Sequence, residues 1–382
     1  MGFAYMLTKI HKPSRFHSPK ESHKTMKKSL IAACVGLACV SGAQAQSTVN
    51  LTGLVDMYVA SQKQPGDNGR TNLLGSGGMT TSWFGFTGTE DLGGGLKANF
   101  KLTSFQRNDT GTPGRFTNDA FFSRDANVGL SGGFGAVTLG RGLAPNFLPT
   151  ILFNPFGDSF NFSPLVLHKN VGLFNGTNWA ATTPADTGWS NEVIYTTPTF
   201  GGLTVNLHYQ FGEQNSSTNN DNRKNLGINA LYFNGPFALT GYYEHDQVNN
   251  YNATAGSLIT TGTALDTKKD WLLGGSYDAG MVKGFLTYGQ TKADVSRVEA
   301  KTTQVGASAP IGAGKLLASV ASTKLDNNAA TVPGKRLTAT IGYDYFLSKR
   351  TDVYANLMYD KLTGNINYSK GNTVAVGIRH RF

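Results

Sequence analysis

Thiols are almost absent from this 382-residue chain, whose two cysteines are Cys34 and Cys39. That excludes a disulfide scaffold. Charge is scarce too, at 15% of residues against an average near 25%. Long apolar runs are missing and mean hydropathy is −0.24, which excludes a bundle of membrane-spanning helices. Disorder is excluded in turn, because 39% hydrophobic and 11% aromatic residues are too apolar for a solvated coil. Catalytic and metal signatures are wanting. His168, His208, His245 and His380 stand alone, without His-x-x-x-His or Glu-x-x-His spacing. Gly93-Gly-Gly-Leu-Lys97 lacks phosphate-loop spacing and reads as a hairpin turn. No enzyme, cofactor or metal is therefore expected. What is plentiful is glycine, 47 residues or roughly 12% against about 7% on average. A glycine- and aromatic-rich chain of low charge points to an all-β protein.

The one helical apolar run lies near the N-terminus. Lys27-Lys28 precede an apolar stretch from Ser29 to Val40, followed by Ser41-Gly-Ala-Gln-Ala45. A basic flank, a short apolar core and an Ala-x-Ala site read as a secretory signal over 26–45, cleaved after Ala45. Residues 1–25 form an aperiodic basic extension, and Met26 could open the signal by itself. Seven of the 34 basic residues and one of the 24 acids lie in 1–45, which leaves a net charge of +4 for residues 46–382. The nucleic-acid reading suggested by a pI near 9.4 loses its support there. Both cysteines leave with the leader.

In the remaining chain, apolar and polar residues alternate with period two between turn clusters. Val374, Val376, Ile378, His380 and Phe382 face one way, and Thr373, Ala375, Gly377, Arg379 and Arg381 the other. Sixteen such segments are expected, near 48–60, 80–89, 95–105, 123–132, 134–142, 191–197, 201–211, 224–234, 236–246, 268–279, 281–291, 301–309, 313–324, 334–346, 351–361 and 372–382. Short Gly/Pro turns alternate with long polar loops, and one connection, 143–190, is far longer than the rest. An even set of antiparallel strands with short turns at one end and long loops at the other fits a transmembrane β-barrel. Closure removes the strand edges that lipid does not tolerate. Tyr242, Tyr243, Tyr277, Tyr288, Tyr343, Tyr345, Phe346, Tyr354 and Tyr359 are expected in interfacial girdles. A soluble β-sandwich also alternates, but its loop lengths need not. Inward side chains are expected at Asp56, Trp83, Lys97, Lys101, Asp344 and Asp352.

Six motifs in order then carry a family resemblance. They are Ser47–Asp56, Trp83–Ala98, Asn127–Arg141, Thr197–Leu203, Gly342–Thr351 and Gly377–Phe382. With them the chain resembles the general porins of β- and neisserial-type proteobacteria. The resemblance implies a 16-stranded antiparallel outer-membrane barrel, trimeric, whose loop 143–190 folds inward and narrows a water-filled channel. It implies passive diffusion of small hydrophilic solutes and ions, and the net charge suggests a weak preference for anions. A substrate-selective channel and a plugged, adhesin-like barrel are the alternatives. The resemblance places Arg124 and Arg141 at the constriction. Asn154-Pro-Phe-Gly157 stands where the family has an acidic turn, with Asp158 nearby as a substitute. Trp83 stands where the family has an arginine; it is expected to pack against loop residues such as Phe153 or Phe156, or else to narrow the constriction or offer a stacking surface to an aromatic or sugar-like solute. Strict alternation disagrees with part of this, since it puts Arg124 and Arg141 on the lipid side; a bulge, or a position above the lipid band, would resolve it. Phe382 is expected to be an assembly signal read by the barrel-assembly machinery. Lipid and lipopolysaccharide are the expected surroundings.

Overall fold

The computed structural model describes residues 47–382 apart from 118, 172–186, 214–222, 251–256, 259, 262–263, 328–333 and 365–368. The leader, its Ala45 site and the 1–25 extension lie outside the described residues. Sixteen barrel strands follow one another. They are β1 (Thr48–Lys63), β2 in two pieces (Thr71–Ser76 and Trp83–Gly93), β3 (Leu96–Arg107), β4 (Asp125–Gly132), β5 (Gly135–Leu143), β6 (Gly188–Thr196), β7 (Leu203–Phe211) and β8 (Lys224–Asn234). The second half comprises β9 (Phe237–Asp246), β10 (Lys268–Asp278), β11 (Lys283–Ala293), β12 (Val298–Ile311), β13 (Gly314–Asn327), β14 (Gly334–Phe346), β15 (Thr351–Gly364) and β16 (Ser369–Arg381). Each pairs antiparallel with the next. The ladder closes where β16 pairs with β1, from Leu54↔Arg381 to Lys63↔Asn372.

Period-two alternation becomes two surfaces. On β16, Val374, Val376 and Ile378 are exposed, while Thr373, Ala375 and Arg379 on the other parity are buried. Val49, Leu51 and Val59 of β1 are exposed in the same way, against buried Leu54, Asp56, Tyr58 and Ala60. An apolar exterior that runs around a closed sheet suits lipid, where every backbone polar group is already paired within the ladder. Among the described residues no helix is long and apolar enough to cross a membrane; the strands do the crossing.

The tight turns follow their glycines. Gly93, Gly94 and Gly95 all have positive φ, at 85°, 62° and 83°, and Asp91 Oδ1 accepts the Gly93 N–H at 2.9 Å. A residue with a β-carbon is strained at such angles. Two of the expected girdle aromatics face inward instead. Tyr242 and Tyr354 are each 4% exposed, and their hydroxyls donate to Asp270 (2.9 Å) and Asp56 (2.5 Å). Both fall on the inward parity, where a buried hydroxyl needs an acceptor. Tyr243, Tyr277, Tyr288, Tyr345 and Tyr359 lie on the exposed exterior.

The expected second segment, 80–89, is also reshaped. β1 pairs with Trp83–Gly93 below and with Thr71–Ser76 above, and residues 77–82 between them leave the ladder. Asp56 causes the break. Its backbone O accepts Gly77 N–H (2.7 Å) and Ser82 Oγ–H (3.1 Å), and its N–H donates to Ser82 Oγ (2.9 Å).

Candidate functional site

The connection between β5 and β6 turns into the barrel and packs on the inner wall. Its described residues carry two short helices, α1 (Phe147–Leu152) and α2 (Pro164–Lys169). Pro164 supplies a preset φ at the start of α2, and Ser163 Oγ caps it by accepting the Val166 N–H at 3.4 Å. Between the helices the chain reverses around Asn154. Its Oδ1 accepts Phe156 N–H (2.7 Å) and Ser163 Oγ–H (2.9 Å), while Nδ2 donates to the Thr150 (2.8 Å) and Gly157 (2.9 Å) carbonyls. A carboxylate could not make those last two bonds, which accounts for an amide here. Asn154 is 4% exposed and organises the loop from within, so it is not a lining group.

Apolar side chains seat the loop on an otherwise polar lumen. Phe156 and Phe162 join Tyr58, Met79, Leu317 and Tyr354 in one buried cluster. Phe153 packs with Leu231 and Ala238, and Leu165 with Tyr242 and Leu272. Each buried phenylalanine contributes about 1.5–3 kcal/mol. Polar ties complete the seating. Asn146 donates from its backbone N–H (2.9 Å) and Nδ2 (2.7 Å) to Glu244 Oε1. His168 sits between the Thr323 and Thr338 hydroxyls, 2.8 Å from each. Lys169 Nζ donates to Asp270 Oδ1 at 2.5 Å and to Thr291 Oγ1 at 3.1 Å. Asn170 reaches back to Asn146 Oδ1 at 2.7 Å, so the two ends of this inward segment are tied to each other.

The outer side of the loop meets the bulge at residues 77–82. Ser159 Oγ donates to Gly78 O (2.6 Å) and Asn161 Nδ2 to Gly77 O (2.8 Å). Asp56, wholly buried, receives the Gly78, Met79 and Thr80 N–H groups at 3.1, 2.7 and 2.8 Å. Its charge is spent on holding the bulge and is not offered to the lumen, contrary to a pore-lining role. The bulge sets Thr80 between loop and wall, donating to Asp158 Oδ1 at 3.0 Å and accepting from Arg379 Nη1 at 2.9 Å. Burial raises the Asp158 carboxyl above the ordinary carboxylate range, against the opposing Thr80 hydroxyl and the Arg379 and Arg124 charges. Arg379 fans across three strands, to Asp352 Oδ1 (2.9 Å) and Asp344 Oδ2 (3.0 Å). Arg381 pairs with Asp352 Oδ2 at 3.1 Å and keeps a side chain 45% exposed.

The remaining expected residues fall as follows. Trp83 faces inward, but it does not join the Phe153 or Phe156 clusters. The Arg124 guanidinium lies 3.9 Å from its ring centroid, so a positive charge is carried onto the indole that stands where the family has arginine. Arg124 precedes β4, whose first residue Asp125 turns in to Thr103 Oγ1 (2.7 Å) and to Arg124 Nη1 (3.0 Å). The alternation that assigned Arg124 to lipid begins only after it. Arg141 is bulged: the β5–β6 register shifts between Gly140 and Gly142, and Gly140 has φ 125°. The bulge re-aims its side chain, so Nε donates to Ser123 O (2.7 Å) and Nη1 to Ser190 Oγ (2.8 Å). Lys97 and Lys101 lie exposed on the inward parity of β3. Phe382 closes the barrel by exchanging backbone bonds with Gly53 at 3.0 and 3.2 Å. The sequence pattern assigns no site role to Arg379, Arg381, His168 or Lys169. The inward parity of β16 was a sufficient signal for the two arginines, whereas α2 has no periodicity to read.

A closed barrel with an apolar exterior, a polar lumen and an inward-seated loop defines an outer-membrane channel. Residues 30–365 match the Gram-negative porin family, and the chain belongs to it. It is 33% identical over 383 residues to outer membrane porin protein 32 of Delftia acidovorans, covering 94% of this chain and all of that one. To the major outer membrane protein P.IB of Neisseria meningitidis serogroup B it is 26% identical over 370 residues, 94% of this chain and all of that one. Among solved structures, an anion-selective porin from Comamonas acidovorans aligns with TM-score 0.72 and 29% identity, over 88% of this chain and all of that one. The protein is an outer-membrane porin, in a family of channels rather than enzymes.

Proposed function

We propose that the protein is a passive, water-filled channel for small hydrophilic solutes and ions with a weak preference for anions. The observation that carries the preference is an imbalance of available charge. Lys97 and Lys101 are exposed on the inward face, and neither has an ion-pair partner among the described residues. The inward acids Asp56, Asp270, Asp344, Asp352 and Asp360 are all buried against hydrogen-bond donors. Exposed lysines set against buried wall acids favour anions through the sign of the field. Reversal potential across a planar bilayer in a KCl gradient tests this. An anion-selective sign is expected, and a cation-selective sign overturns it.

The working form we propose is a homotrimer in lipid and lipopolysaccharide. One solved barrel of the same fold is described as a trimer form, and light scattering of the detergent-purified protein checks the stoichiometry. The terminal strand serves as the signal for the barrel-assembly machinery. Deletion of Phe382, which also removes the backbone pairing to Gly53, lowers the yield of inserted barrel; an unchanged yield rejects the assembly role.

A further inference from the structure

A cavity of about 420 Å³ lies between the end of α1 and the wall formed by β1, the bulge and the end of β16. Small-molecule sites span roughly 300–1,000 Å³, mostly apolar with a few placed polar groups. This one has that composition. Leu54 and Trp83 line the wall side, and Ile151 and Leu152 line the loop side. Leu152 is 42% exposed, so an aliphatic side chain meets water at this cavity. Arg381 supplies a cation at the same cavity, with Nη1 engaged by Asp352 and nearly half of its side chain accessible. Asp158 also lines the space, but the Thr80 hydroxyl occupies its Oδ1.

We propose that this cavity is a binding subsite for small aromatic carboxylates. The aromatic ring packs between the Trp83 indole and the Ile151–Leu152 side chains. Arg124 already covers part of the indole, and the cavity takes the remainder. The solute carboxylate pairs with the exposed part of Arg381, a charge-assisted contact. A simple anion such as acetate gains only the second contact, and a neutral aromatic only the first. The subsite therefore slows aromatic acids relative to other anions of similar charge.

The inference rests on the channel reading, and the test separates the two. Current through the protein in planar bilayers is recorded in KCl at neutral pH while phenylacetate, acetate or benzylammonium is added. Phenylacetate is expected to reduce the current saturably, at concentrations about tenfold below any effect of the other two. Trp83→Ala is expected to weaken the phenylacetate block about tenfold relative to any acetate effect recorded in the same variant. Tryptophan fluorescence of the detergent-purified protein reads binding without current, with Trp83→Phe as the variant that removes the responding indole. Intact KCl conductance with phenylacetate no better than acetate overturns the subsite alone. Equal block by benzylammonium also overturns it, and moves recognition to Asp158. Saturable phenylacetate binding by fluorescence without any conductance keeps the subsite and removes the channel reading.

Discussion

Tyr354 donates its hydroxyl to Asp56 Oδ1 at 2.5 Å, joining β15 to β1 across 298 residues of chain. The same carboxylate holds three consecutive backbone N–H groups of the bulge. One buried acid therefore couples the inner wall to the segment that presents Thr80. Asp56→Asn keeps the shape but replaces an acceptor oxygen by a donor facing other donors. Losing one charge-assisted bond costs about 1.5–3 kcal/mol. Urea unfolding of the refolded protein in detergent should show that loss, and single-channel records should become noisier as Thr80 slips from Arg379. A variant with wild-type stability and quiet openings would remove Asp56 from this role.

Lys169 and Asp270 form an ion pair with side chains 1% and 0% exposed. Breaking such a pair from one side costs about 3–5 kcal/mol, because the remaining charge is buried alone. Lys169→Met should therefore loosen the end of α2 and increase spontaneous closures. Adding Asp270→Leu should recover part of the stability, although Tyr242 then loses its acceptor. If the double variant is as unstable as the single one, the uncompensated charge is not the cause.

How much of this was legible beforehand depends on periodicity. The strands could be read because each inward residue has an outward neighbour of opposite polarity, as in β16. The inward course of loop 143–190 is implied by the family resemblance and not by periodicity, and its seating is not legible at all, because its contacts are set by the wall it lands on. Phe156 and Phe162 look like any apolar residues until Tyr58 and Tyr354 are known to face them. The bulge left one trace, Gly77-Gly78. Gly77 has φ 77°, and a β-carbon on Gly78 would overlap the Tyr354 hydroxyl. Strict alternation alone puts Arg124 and Arg141 on the lipid side, because a strand start at Arg124 and a bulge at Arg141 interrupt the parity rule without changing composition.

Arg379 balances Asp344 and Asp352 while holding Thr80. Arg379→Gln leaves Asp352 to Arg381 and Asp344 without its guanidinium partner. The local charge turns negative, so the reversal potential in a salt gradient should move toward cation selectivity. Arg379→Lys keeps the charge but cannot fan to three partners, and should retain selectivity while losing stability. If Gln and Lys variants give the same reversal potential, the charge of Arg379 is not felt by permeating ions.

His168 gives the channel a pH-dependent seat for its inward loop. Burial, aided by the Arg336 charge, lowers its pKa well below the ordinary 6.5. The ring is thus neutral when docked between Thr323 and Thr338, and the undocked ring takes up a proton more readily. The docking free energy is fully present above about pH 6.5 and falls as pH drops below it. The slope is at most one proton, about 1.4 kcal/mol per pH unit. Closures or loss of folded barrel should increase between pH 6.5 and 5 in the wild type. His168→Gln, which can still bond both threonines but does not titrate, should flatten that dependence. An equally steep profile in the variant would assign the acid sensitivity to another group.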